Sequence, residues 1–434
     1  MKQPADLLVT NAGQLCTVAG HGGRPAAGPA QGEAGVVERG AVAAYQGKVV
    51  AAGPEAEVLA SVEPEPDAVR IDAAGRLVTP GLVDAHTHLC FAGWRAEEFG
   101  LRIRGAAYLD ILKAGGGILQ TVRATRAASE DELVAGLIER LEEILLLGTT
   151  TVEIKSGYGL ALGAEVKQLQ AVRRAAAAAV QDVVPTFLGA HAVPPEFQGR
   201  GREYAMMVAQ AMVPAIASAG LAEYVDVFCE DGVFGLEETR RILEAARRFG
   251  LGVKVHADEV VHLGGARLAA ELEAVSADHL VVTPPEDWEA LRAAGTIAVL
   301  LPATSFFLMK EKHAPARGLI EAGVPVALAT DYNPGTQPGG SLPLVMSIAC
   351  LTLRMTPAET LVAVTLNAAH AIGRGERVGS LEPGKEADLV VWNCPTLDHL
   401  PYRMGVRLAD TVVKRGRVVV RGGRRVTDSG GVTG

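Results

Sequence analysis

Between residues 78 and 382 the chain repeats one alternation: a short apolar run rich in β-branched residues, then a longer stretch with helical spacing. This pattern is the signature of βα units feeding a parallel sheet, because parallel neighbours need a crossover long enough to hold a helix. Eight runs are legible, at 77–84, 149–155, 183–190, 224–229, 252–256, 277–281, 297–301 and 324–330. One intervening segment shows both of its limits: Ser129 and Glu132 form a capping box, Leu133, Leu137 and Leu141 make an i, i+4, i+8 stripe, and Gly148 follows as a stop. Eight such units predict an α/β chain whose middle closes as a (β/α)8 TIM barrel. The surplus over a minimal barrel falls at 89–128. There, Gly115-Gly116-Gly117 lacks the strand-to-helix setting of a phosphate loop and reads as a turn or hinge.

The two ends differ from the middle. Short β-type runs stand at 7–10, 36–44 and 48–52, the last two joined by Gln46-Gly47, and again at 387–392, 411–414 and 417–420 around Arg415-Gly416. They predict a small β-sandwich domain built from both termini, 1–77 plus 383–434, beside a barrel of 78–382. The segment 20–35, rich in Gly, Ala and Pro, reads as a surface loop.

Lys and Arg number 41 against 50 Asp and Glu, a formal charge of -9, which offers no general attraction for nucleic acid or an anionic membrane. A small molecule is the expected partner. No stretch approaches the roughly 18 apolar residues of a membrane span, and no signal-like apolar region opens the chain, so a cytoplasmic location is expected. Five widely spaced cysteines without a C-x-x-C pair suggest neither a disulfide framework nor a zinc ribbon.

Ligand-type residues recur where the expected strands end, the face on which a barrel carries its active site. His86 and His88 lie two apart on an extended segment and can project to one side. His256 and Glu259 follow the fifth run, Asp278 and His279 the sixth, and Asp331 the eighth. Any one of them, taken alone, is better explained as a hydrogen-bonded core histidine or a helix-capping aspartate. Converging at one end of a barrel, His86, His88, His256 and Asp331 make a nitrogen and oxygen set suited to Zn²⁺ or Fe²⁺.

This arrangement, with the closing Gly384-Lys385-Glu386-Ala387-Asp388-Leu389-Val390, resembles the amidohydrolase superfamily. Within it, Thr87-His88-Leu89, Arg95, Gly115-Gly116-Gly117-Ile118, Glu153-Ile154-Lys155-Ser156-Gly157-Tyr158-Gly159-Leu160, Gly189-Ala190-His191-Ala192-Val193-Pro194 and Thr330-Asp331-Tyr332-Asn333-Pro334-Gly335-Thr336 are similar to the imidazolonepropionase family. The resemblance implies one divalent ion, zinc or iron, on His86, His88, His256 and Asp331. It implies substrate contacts from Arg95, Tyr108, Tyr158, His191, Glu259, Asn333, Gly335 and Thr336. The family often has Ser at position 336; Thr336 keeps the hydroxyl.

The implied reaction opens the ring of 4-imidazolone-5-propanoate, and a homodimer is the expected assembly. Glu259, His279 and Asp331 are the expected catalytic groups, holding or deprotonating the water and returning a proton to nitrogen. Lys155 is expected to pair with carboxylates rather than to bridge two metals. Another cyclic-amide hydrolase, a deaminase, or a non-catalytic scaffold on the same fold are the competing readings.

Overall fold

The computed structural model describes residues 2–105 and 116–426. Eight parallel strands form one sheet in sequence order: Leu82–Asp84, Thr149–Lys155, Asp182–Ala190, Tyr224–Cys229, Gly252–Ala257, Ser276–His279, Ile297–Leu300 and Val326–Leu328, here strands one to eight. The ring closes between strands eight and one through the segments that follow them. Asp331 N–H donates to the His86 carbonyl at 3.0 Å and His88 N–H to the Tyr332 carbonyl at 2.9 Å. The seam of the barrel therefore carries three of the four expected ligands, His86, His88 and Asp331, while His256 comes from strand five.

The helix Glu130–Leu145 carries the expected capping box at Ser129, and its buried Leu133, Leu137 and Leu141 pack on Val152 and Ile154 of strand two. Apolar residues on the outer side of the strands and the inner side of the helices thus form the barrel's main core, as ridge-and-stripe patterning requires.

The first expected strand is in fact two. Leu77–Pro80 pairs with Leu389–Trp392 in the terminal sheet, and only Leu82–Asp84 enters the barrel. Gly81 makes the crossing: its N–H donates to the Asp388 carbonyl, while Leu82 N–H donates to Gly148. A Cβ at position 81 would stand 2.3 Å from Thr150 Oγ1, so a side chain would block the passage.

Both termini build one nine-stranded sheet. Its hairpins turn at Gln46-Gly47 (φ 50° and 77°) and Arg415-Gly416 (φ 47° and 73°), positive at both central residues as a tight hairpin requires. The strand Val62–Asp72 was not expected. It carries Pro64 and Pro66 and lies parallel to Gln3–Cys16, an edge position where missing N–H donors are tolerated.

The segment 20–35 is not a free surface loop. It contains a short helix, Gly28–Gly32, from which the buried Gln31 side chain bonds both backbone groups of Val326, donating to its carbonyl at 2.8 Å and accepting from its N–H at 3.0 Å. Strand eight pairs with strand seven alone at that level, so the Gln31 amide, with Asn367 Nδ2 donating to the same carbonyl at 2.9 Å, takes the place of a neighbouring strand.

The sheet is tied to the barrel by charge. Lys414 lies between Asp388 (2.6 Å) and Asp182 (2.9 Å) at the start of strand three, and Glu386 holds Arg377 (2.6 Å) and Arg415 Nε (3.0 Å). All five cysteines are free thiols, and no helix among the described residues is long and apolar enough to cross a membrane.

Candidate active site

The backbone turns sharply where the strands end. Asp258, His279, Leu280 and Asp331 all have left-handed φ, at 50°, 78°, 55° and 56°. Such conformations cost about 1–3 kcal/mol each and persist where neighbours over-determine them. At Asp258 the compensation is visible: its carboxylate accepts the N–H groups of Leu263, Gly264, Gly265 and Ala266 and the hydroxyl of Thr283. The turns aim His279 and Asp331 inward instead of letting the strands run on.

The expected ligands converge. The His86 ring lies 4.5 Å from that of His256 and 5.2 Å from that of His88, and His279 stands 5.2 Å from His256. Asp331 Oδ1 lies 3.4 Å from His88 Nε2 and 3.8 Å from His86 Nε2. Ligand-type atoms of His86, His88 and Asp331 fall within 4.8 Å of one another, as do those of His86, His256 and His279. Burial pushes the Asp331 carboxyl up to about 7, although Thr304 donates to its Oδ2 at 2.6 Å. Burial likewise pushes His279 down to about 3, leaving a neutral ring.

Beneath the histidines lies a buried charged floor. His86 Nδ1 is 2.6 Å from Asp278 Oδ2, and His256 Nδ1 is 3.0 Å from Asp226 Oδ2. Lys155 joins the two supports, at 2.8 Å from Asp226, 2.7 Å from Glu153 and 3.9 Å from Asp278. Lys254 donates to the Ala85 carbonyl at 2.9 Å and lies 3.9 Å from Glu153 and Asp278. His86 Nδ1 is hydrogen-bonded to Asp278, while Nε2 of His86 and both ring nitrogens of His256 are buried without a hydrogen-bond partner, Nδ1 of His256 having only the close approach of Asp226. Unpaired buried nitrogens, a protonation-prone carboxyl and a floor in which carboxylates outnumber lysines all fit a divalent cation among these residues.

The other expected residues surround this centre. His191 stacks on His88 at 4.9 Å and 16°, with Nδ1 3.1 Å from the Gly157 carbonyl, and burial lowers it to about 3. Tyr158 is buried 5.4 Å from His191, on a loop whose N–H groups are collected by Glu165 and Gln168. Glu259 Oε2 is 3.7 Å from His279 Nδ1. Arg95 is bonded to Glu98 through Nε (3.1 Å) and Nη2 (2.9 Å), and its guanidinium lies against Gly335, where a Cβ would stand 2.1 Å from Nη1.

Asn333 spends its amide within its own loop, donating to the Asp331 carbonyl and Thr336 Oγ1 and accepting from the N–H groups of Gly335 and Thr336. It therefore shapes the loop that carries Gly335 and Thr336. Tyr108 and Gly115 lie outside the described residues. Sequence reasoning did not single out Asp226, Glu165, Gln168, Lys254 or Lys310. A lone acid in an apolar strand, as in Tyr224-Val225-Asp226-Val227, was the available signal for the first.

The Amidohydrolase family profile matches residues 77–419. The imidazolonepropionase of Symbiobacterium thermophilum is 54% identical over 427 residues, covering 97% of this chain and 99% of its own length. That of Geobacillus kaustophilus is 51% identical over 419 residues, covering 96% and 99%. A crystal structure of an adenosine deaminase from Xanthomonas campestris with bound zinc is similar at a TM-score of 0.71 and 21% identity, covering 99% of this chain and 96% of that one, a likeness of fold. Barrel, strand-end residues and near-full-length identity agree: the chain belongs to the amidohydrolase family and, within it, to the imidazolonepropionases.

Proposed function

We propose that the chain hydrolyses 4-imidazolone-5-propanoate to N-formimidoyl-L-glutamate in histidine degradation, with one zinc or iron ion held by His86, His88, His256 and Asp331. The observation that carries the mechanism is the approach of Glu259 Oε2 to His279 Nδ1 beside the histidine cluster. When bound, a divalent ion lowers the pKa of water and polarises a carbonyl.

The chain's own groups supply the rest. Burial would raise the Glu259 carboxyl, but the charge and hydrogen bond of Lys310 help to hold the group below its ordinary range, so it is ionised and able to take a proton. Water oxygen bonds to the ring carbonyl carbon, Glu259 receives the water proton, and the same proton passes to the ring nitrogen as the C–N bond breaks. His279, a neutral ring, orients the water with Asp331. Arg95 grips the propionate, and Tyr158 and His191 meet the polar ring edges, with Tyr108, Gly335 and Thr336 completing the pocket. A cytoplasmic homodimer completes the reading, and the five free thiols suit a reducing compartment.

The test is turnover by the metal-loaded protein, followed as loss of the imidazolone's ultraviolet absorbance and appearance of formimidoylglutamate. Glu259→Gln is expected to keep metal and fold and to lose roughly 10²- to 10⁴-fold in kcat. No turnover of the imidazolone, with turnover of another cyclic amide or of a deaminase substrate, would overturn the assignment.

A further inference from the structure

Glu259 has two oxygens in two different settings. Oε2 faces His279, while Oε1 accepts a hydrogen bond from Lys310 Nζ at 3.1 Å. The Glu259 side chain is 14% exposed and that of Lys310 26%, so the pair sits at the rim of the buried site, unlike a freely solvated surface pair.

Lys310 is placed by more than its own reach. Its N–H donates to the Ser305 carbonyl at 2.9 Å, ending the helix Pro302–Phe307, and Met309 before it turns with φ 53°. The same helix carries Thr304, whose hydroxyl donates to Asp331 Oδ2 at 2.6 Å. One short element after strand seven thus reaches a proposed ligand with a hydroxyl and the proposed proton carrier with an ammonium.

An ammonium has donors and no acceptor. Bonded to Oε1, it makes that oxygen the poor site for an incoming proton and leaves Oε2 the good one. We propose that Lys310 is a positioning residue of the hydrolysis, fixing Glu259 so that the proton it carries is taken up and released at Oε2, facing His279 and the reacting ring. The inference rests on Glu259 as the proton carrier. Lys310 neither gains nor loses a proton in the cycle.

Four variants test it as zinc-loaded full-length protein: Lys310→Met, Lys310→Arg, Glu259→Gln, and Glu259→Gln with Lys310→Met. Lys310→Met is expected to lower kcat by about 10- to 100-fold, the range for removing a group that orients a functional side chain, with KM and zinc content little changed. Lys310→Arg, which keeps a cationic donor, should regain most of the rate. The double variant should be no slower than Glu259→Gln alone, because the lysine acts only through the glutamate.

Full kcat in Lys310→Met, or a raised KM at unchanged kcat, would overturn the proposal, the second by making Lys310 a substrate contact. Losses that multiply in the double variant would overturn it as well. Near-normal kcat in Glu259→Gln would instead remove the proton-carrier assignment, and the role of Lys310 with it.

Discussion

Asp226 grips His256 twice: Oδ2 lies 3.0 Å from the ring Nδ1, and Oδ1 accepts the backbone N–H of His256 at 3.2 Å. A carboxylate this close to Nδ1 favours the tautomer protonated there, which leaves the lone pair on Nε2. In Asp226→Asn an amide N–H₂ turned toward Nδ1 would favour the opposite tautomer and put the proton on the nitrogen needed for the metal. Metal affinity is expected to fall about 10- to 100-fold, measured by competition with a chelator. Unchanged affinity would show that Asp226 serves only the packing of the floor.

Lys155 is enclosed by Asp226, Glu153 and Asp278, and burial alone would lower its pKa, but these carboxylates hold it above its ordinary value. A permanently charged ammonium is not a metal ligand, so elemental analysis should give one ion per chain. Lys155→Met leaves three buried carboxylates facing one another, and breaking such a buried pair costs about 3–5 kcal/mol. Denaturant unfolding should show a loss of that size. Two ions per chain, one of them lost in the variant, would make Lys155 a bridging ligand instead.

How much of this was legible in the sequence depended on whether the signal was local. His86-Thr87-His88, Asp331 and the hairpin turns at Gln46-Gly47 and Arg415-Gly416 are short patterns whose chemistry is fixed by neighbours one or two residues away. Asp226 and Asp278 acquire their meaning from pairing across strands, with Asp278 opposite His256 in register and Asp226 opposite Lys254. Gln31 completes strand eight from 295 positions away, and nothing in its own Gly- and Pro-rich surroundings marks it for burial. The break at Gly81 was hidden because two consecutive strands in different sheets read as one apolar run. Lys310 sits on a loop, where no periodicity points to a partner.

Glu386, between Arg377 and Arg415, makes acid stability a test of the sheet-to-barrel clamp. Burial would raise its carboxyl, but the hydrogen bonds from the two arginines and the charge of Lys414 bring it from 4.5 down to about 2. A folded-state value below the unfolded one means that the contribution is fully present above the unfolded pKa of 4.5 and is lost as pH falls through about 2. Glu386→Gln should therefore lower Tm at neutral pH, and the gap from the parent protein should close between those two values. A gap in Tm that is the same at neutral and acid pH would mean that the side chain contributes by packing alone.

Arg95 and Gly335 separate an imidazolonepropionate site from one that takes a ring without a carboxylate arm. The guanidinium is directed from one side by Glu98, whose other oxygen accepts the Gly117 N–H at 2.7 Å, and lies against Gly335 on the other. Arg95→Met is expected to cost about 2 to 5 kcal/mol in transition-state binding, the range for truncating a desolvated charge pair. That is roughly 30-fold to several thousand-fold in kcat/KM. Because this variant also strands the buried Glu98, Gly335→Ala is the cleaner partner: it keeps the Arg95–Glu98 pair but places a Cβ where Nη1 now lies, 2.1 Å away, so the guanidinium must shift. Both variants should lose activity on imidazolonepropionate and bind poorly a competitive inhibitor carrying an imidazole ring and a short carboxylate arm, with metal content unchanged. An imidazolone lacking the propionate should be a poor substrate for the parent protein and about equally poor for both variants. If the inhibitor bound all three proteins alike, Arg95 would lie off the substrate, and recognition of the carboxylate would have to come from another cation.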